Sequence, residues 1–169
     1  MTLYYFDASA LVKYYVTEPG SVWVRQIIDE QDSKTGSMRY LILIAEITRV
    51  EVAAGLAVIE RVGRISRSQR DREYRRFISQ LIHHYTVIPL ATNDLETAAH
   101  LTQHHPLKAY DAVQLAVALR HHQTLITHGL SLTFVSGDNA LVTAAQTEGL
   151  LTDNPFDHVL PQDAPGGTG

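Results

Sequence analysis

Leu3-Tyr4-Tyr5-Phe6-Asp7-Ala8-Ser9-Ala10-Leu11-Val12-Lys13 carries the decision about the fold. Leu3 to Phe6 is short, apolar and β-prone, and it stops at a carboxylate. Ser9 is then a predicted N-cap for a helix carrying Leu11, Val12 and Tyr15. A strand feeding directly into an amphipathic helix is the unit of a parallel sheet, whose neighbouring strands need a crossover between them.

Working outward, Glu18-Pro19-Gly20 breaks the first helix, and a second is predicted from Ser21 through Val22, Val24, Ile27 and Ile28. Tyr40 to Ala45 is an unbroken apolar run, as in a strand covered on both faces. Ile47, Val50, Ala54 and Val58 recur at helical spacing, so the helix after it holds Glu51. Another helix is expected through Tyr74, Phe77, Ile78, Leu81 and Ile82, then a strand over Thr86 to Leu90 and a helix from Asn93 to His104. Asp111 lies near the start of the next helix, with Ala112, Leu115, Ala116 and Leu119 on one stripe. Leu132 to Ser136 reads as a strand, Asp138 introduces a helix through Leu141, Val142 and Ala145, and Leu150-Leu151 adds a short edge strand. Strand and helix alternate throughout. The expected fold is α/β, a three-layer α/β/α sandwich around a mainly parallel central sheet. One domain is expected over residues 1–155, with 156–169 as a flexible tail, because Pro161 to Gly169 lacks large apolar side chains.

Composition narrows the chemistry. The 169 residues are 45% hydrophobic and 19% charged, a globular balance and not that of a disordered chain. No cysteine is present, which excludes a disulfide scaffold, a Cys-ligated zinc site and a thiol nucleophile. Asp7 arrives before a signal-peptide core could form, and no apolar run approaches the ~20 residues of a membrane helix. A cytoplasmic protein is expected. A net charge of −4 argues against indiscriminate nucleic-acid binding. The basic stretch from Arg61 to Arg76 reads either as an RNA-backbone track or as a solvated helix with internal ion pairs.

Open parallel sheets place their sites beyond the C-terminal strand ends, where the strand order reverses. Asp7, Glu51, Asp111 and Asp138 fall at or near such positions. Each has a plain structural explanation: Asp111 and Asp138 as helix N-caps worth ~1 kcal/mol, Glu51 as a solvated charge. Asp7 is harder to explain so, since an ionised group at the end of an apolar strand is costly unless paired or metal-bound. A cluster of hard oxygen ligands suits Mg²⁺ or Mn²⁺ and phosphodiester chemistry. On the residues alone, a metal-dependent phosphatase of another α/β class and a non-catalytic acidic binding module stay open. The His83-His84, His104-His105 and His121-His122 doublets read as solvated helix ends, and Lys13 stands one turn into the first helix, within reach of a phosphate near Asp7. Tyr4, Tyr5, Tyr14, Tyr15 and Trp23 exceed what one covered face needs and are expected to contribute in part to an interface.

Four segments carry a family resemblance. Phe6-Asp7-Ala8-Ser9-Ala10-Leu11-Val12-Lys13 with Glu18-Pro19-Gly20, then Ile47-Thr48-Arg49-Val50-Glu51, then Leu107 to Ala116 around Asp111, then Thr133-Phe134-Val135-Ser136-Gly137-Asp138 occur in order. Together they resemble PIN-domain ribonucleases, and among these the VapC-type toxins of bacterial toxin–antitoxin pairs. The resemblance implies an acidic metal site of Asp7, Glu51, Asp111 and Asp138, supported through hydrogen bonds by Ser9 and Ser136. Glu46 is the rival for the second acid; the family pattern favours Glu51. The resemblance further implies a Mg²⁺-dependent endoribonuclease, with Mn²⁺ also supporting activity and products bearing a 5′-phosphate and a 3′-hydroxyl. Its implied partners are an RNA substrate and a cognate antitoxin, with the chain itself in a homodimer or a higher assembly.

Overall fold

Alternation along the first strand sets the layers. In the computed structural model, which describes residues 2–164, β1 spans Leu3–Phe6. Leu3 and Tyr5 enter one apolar core, and Phe6 enters the other. The strand after it, β2 (Leu41–Ala45), divides in the same way: Ile42 and Ile44 against Leu43 and Ala45. The unbroken apolar run is therefore buried on both faces.

The remaining strands are β3 (Thr86–Ile88), β4 (Leu132–Val135) and β5 (Leu151–Asp153), all parallel in the order β3-β2-β1-β4-β5. One face is covered by α1 (Ala8–Tyr15), α2 (Ser21–Asp29), α3 (Thr48–Arg61) and α4 (Arg67–Gln80). The other carries α5 (Thr92–His104), α6 (Ala109–Ile126) and α7 (Asn139–Thr147). This is the expected three-layer α/β/α sandwich. The chain builds outward from β1 to β3, then restarts at β4 on the other side of β1. The crevice between β1 and β4 is thus the point where strand order reverses. Phe6 pairs with Val135 in register, so Asp7 and Ser136 leave the sheet side by side.

Local expectations meet corrections in five places. Asp7, not Ser9, caps α1, its carboxylate accepting from the Ala10 amide at 2.9 Å. Helix α3 buries Thr48, Val52, Leu56 and Ile59, while Val50 and Val58 of the expected stripe stand 59% and 51% exposed. On α4, Phe77 is buried and Ile78 is exposed, and Ile82 lies past the end of the helix, exposed as well. The aromatic surplus belongs to the two cores: Tyr5 is buried on one face of the sheet, Tyr14 and Tyr15 on the other, and Tyr4 and Trp23 pack against the cluster of Tyr14 and Tyr15.

The fifth difference is the end of the chain. Residues expected to lie in a tail fold back in two short 3₁₀ turns, Pro155–His158 and Pro161–Asp163. The buried Asp163 accepts from the Gly20 amide at 3.0 Å and the Val22 amide at 2.8 Å, closing the start of α2. Gly20 makes this approach possible: at φ 87°, a Cβ there would sit 2.2 Å from the Pro155 carbonyl oxygen. Trp23 stacks on His158 at 4.2 Å between ring centroids. Residues 165–169 of the expected tail lie outside the described residues.

Candidate active site

At the β1/β4 crevice a cavity of about 490 Å³ is lined by Asp7, Glu51, Asp111 and Asp138. Each arrives on a different piece of secondary structure. Asp7 ends β1 and caps α1, Glu51 lies in the first turn of α3, Asp111 in the first turn of α6, and Asp138 caps α7. Glu46 is turned to another task, its side chain accepting from the Leu90 amide at 2.7 Å.

Asp7 is 3% exposed and held by hydroxyls and an amide. Ser9 Oγ donates to it at 2.8 Å, Ser136 Oγ at 2.9 Å and the Ala10 amide at 2.9 Å. Ser136 also accepts from the Asp138 amide at 3.0 Å, and Ser9 from the Gly137 amide at 2.9 Å. The two serines therefore tie the end of β4 to the end of β1. Burial raises the Asp7 pKa from 3.8 to about 6; these hydrogen bonds oppose the rise and the charge of Asp111 adds to it.

Glu51 depends on a residue that the sequence pattern does not mark as functional. Gln114, buried on α6, donates to Glu51 at 2.5 Å and to Thr48 Oγ1 at 2.9 Å, and accepts from the Tyr5 hydroxyl at 2.6 Å. Its one signal in the sequence is a polar side chain three residues after Asp111, inside an apolar stripe. Burial lifts the Glu51 pKa to about 7, Gln114 opposes, and the charges of Asp7 and Asp111 push the same way as burial. Asp111 is raised as well, by burial first and then by Asp138. Mutual repulsion of this kind marks carboxylates close enough to sense one another.

Hard oxygen donors in this number, with no sulfur or imidazole among the cavity walls, fit a divalent cation such as Mg²⁺ or Mn²⁺. Among the described residues, no three His, Asp or Glu side chains stand close enough together to hold an ion. The acids share a cavity and not a point.

Other polar features lie elsewhere. Within the Arg61–Arg76 stretch, Arg70 pairs with Glu60 and Asp71, Arg72 and Arg76 pair with Glu73, and Arg64 reaches across to Glu18. Of the histidine doublets, His121 and His122 sit inside α6 and not at its end, and His105 pairs with Glu148 at 2.7 Å. Sequence reasoning gave no sign of Phe156, which the folded C-terminal segment brings to the cavity wall.

Comparison with known proteins places this geometry in a family. The PIN domain family model matches residues 4–133. Ribonuclease VapC45 of Mycobacterium tuberculosis is 32% identical over 122 residues, covering 70% of this chain and 76% of the relative. Two solved structures share the fold. PAE2754 from Pyrobaculum aerophilum has a TM-score of 0.56 and 20% identity, covering 93% of this chain and 85% of that one. VapBC2 from Rickettsia felis, bound to a DNA fragment from its promoter, has a TM-score of 0.58 and 12% identity, covering 90% of this chain and 98% of that one. The match spans the strands and helices that deliver Asp7, Glu51 and Asp111, and the chain belongs to the PIN domain family, in its VapC ribonuclease branch.

Proposed function

We propose that this chain is a metal-dependent endoribonuclease acting in the cytoplasm as the toxin of a toxin–antitoxin pair, using Mg²⁺ or Mn²⁺ around which Asp7, Glu51, Asp111 and Asp138 would draw together. One observation carries the reading: four carboxylates from four separate elements line one cavity at the switch point of a PIN-domain sheet. A divalent ion held there would neutralise charge developing on the phosphate and acidify a bound water.

The protein's own groups do the rest. Asp7 keeps one orientation because both carboxylate oxygens accept hydroxyl hydrogens. Asp138 spends Oδ1 on the Ala140 and Leu141 amides, which fixes its plane. Glu51, raised to about 7 without an ion, must lose its proton before it can hold one, and the proton of the attacking water would pass to a phosphate oxygen or to a carboxylate that the ion leaves free. In-line attack on phosphorus breaks the bond to the 3′ oxygen, which leaves as the 3′-hydroxyl after protonation, and the phosphate stays on the 5′ side.

An antitoxin is expected to dock an apolar segment beside the cavity and to offer the acids a Lys or Arg. The exposed Val50 and Val58 of α3 support this, since Val58 also lines the cavity. Purified protein should cut single-stranded or loop RNA with Mg²⁺ or Mn²⁺ and stop with EDTA. Asp7→Asn and Asp111→Asn should each slow cleavage by roughly 100-fold or more with an unchanged circular dichroism spectrum. Wild-type rates in both variants would remove the metal-site assignment. For the toxin role, growth inhibition on overexpression should be relieved by the neighbouring gene, and light scattering should report a dimer or larger.

A further inference from the structure

Lys13 is 2% exposed, yet it borders a cavity whose other charged wall residues are all carboxylates. Among the described residues its ammonium makes one hydrogen bond, to Glu18 at 3.4 Å. Glu18 is already bound more closely by Arg64, at 2.6 Å. An ammonium has three donors, so a buried lysine with one long hydrogen bond has capacity left for an acceptor. Phe156 covers it from one side, the Lys13 Nζ lying 3.9 Å from the ring centroid. That ring is 49% exposed, and the backbone that carries it is anchored. Asn154 caps its turn, accepting from the Phe156 amide at 3.0 Å and donating to Asn139 at the start of α7 at 2.9 Å. Gly137 joins the two to the acids: a Cβ there would stand 3.4 Å from both Ser9 Oγ and Phe156 Cε2, and 3.6 Å from Lys13 Cε.

We infer that Lys13 and Phe156 form a nucleotide subsite beside the acidic cavity, Lys13 taking a phosphate of the RNA strand and Phe156 stacking the adjoining base. The inference rests on the ribonuclease reading and adds the side on which the strand is gripped. Cation beside aromatic face is the chemistry that single-stranded nucleic acid requires. A protein partner that offers its own cation would leave the Lys13 donors unmet. Phe156 lies beyond the segment matched by the family model, so the C-terminal fold-back of this chain supplies the stacking half of the subsite.

The test uses the Asp7→Asn protein, which should bind without cutting, and a labelled single-stranded oligoribonucleotide scanned with one abasic position at a time. Removing the base at one position should weaken binding roughly 5- to 150-fold. Phe156→Ala should weaken binding of the intact strand by the same factor and erase the effect of that abasic position. Lys13→Gln should lower the slope of log affinity against log salt by about 0.7, and Lys13→Arg should restore it. Should Lys13→Gln fail to fold, the half-exposed Phe156 still decides the question. Equal binding of intact and abasic strands by the parent and by Phe156→Ala overturns the subsite while metal-dependent cleavage stands. Loss of antitoxin binding alone overturns it in favour of a protein contact. Absence of both RNA cleavage by wild type and RNA binding by the parent overturns the ribonuclease reading with it.

Discussion

Gln114 satisfies three buried or half-buried groups with one amide, and Glu51 owes its orientation to it. Gln114→Leu keeps the volume but leaves the Tyr5 hydroxyl buried without its acceptor and Glu51 without its donor. An unsatisfied buried group costs about 1–3 kcal/mol, so the variant should unfold at lower urea concentration with an unchanged m-value. Its second effect separates positioning from packing. The hydrogen bond from Gln114 favours ionised Glu51, and its loss should move the acidic limb of the kcat/KM profile to higher pH. A profile that drops in height without moving would mean that Gln114 serves stability alone. Residue types and their order are legible at this scale, and all four acids were readable from the chain. That Asp7 is also the α1 cap was not, because Ser9 two residues on is an equally good capping residue by type.

The start of α2 lacks a side-chain cap of its own, and Gly20 occupies that position with a left-handed backbone. Asp163 supplies the missing acceptor from the far end of the chain. Burial would raise its pKa, but the amides of Leu160, Val22 and Gly20 hold it below the ordinary carboxylate value. Asp163→Ala should therefore destabilise by about 1–3 kcal/mol at pH 7. The sign with pH follows from the lowered pKa: the contribution is present above the unfolded value near 3.8 and fades as pH falls through the folded one. Urea melts of wild type and variant at pH 7 and near pH 2.5 measure it, and a difference that stays constant would contradict the cap. Gly20→Ala tests the same junction from the other side and should cost more than about 1 kcal/mol.

For the whole molecule, the acids make stability depend on pH and on metal in opposite directions. Asp7 rises to about 6 and Glu51 to about 7 on folding, so between about pH 4 and 7 the metal-free folded state holds more protons than the unfolded one. Metal-free stability should fall as pH rises through that window, with Asp7 alone contributing on the order of 3 kcal/mol. Mn²⁺ at 100 times its Kd should return about 2.7 kcal/mol at pH 8 and far less at pH 5, because protons compete for the same oxygens. Calorimetric melts at both pH values, with EDTA and with Mn²⁺, check both signs. Asp7→Asn should flatten the metal-free slope and abolish the Mn²⁺ response; an unaltered Mn²⁺ response would remove Asp7 from the ion's ligands. By itself the amino-acid sequence determined the alternation of strand and helix, hence the three layers, and the order of the four acids, since periodicity and residue chemistry are local. Only the tertiary structure decided which face of α3 meets the sheet. Apolar residues occur on more than one side of that helix, and contact with the neighbouring elements, not local pattern, selects Val52 and Leu56 over Val50 and Val58. It also decided that the chain end returns to cap α2 and to bring Phe156 over Lys13, contacts between segments more than 140 residues apart that no local pattern encodes.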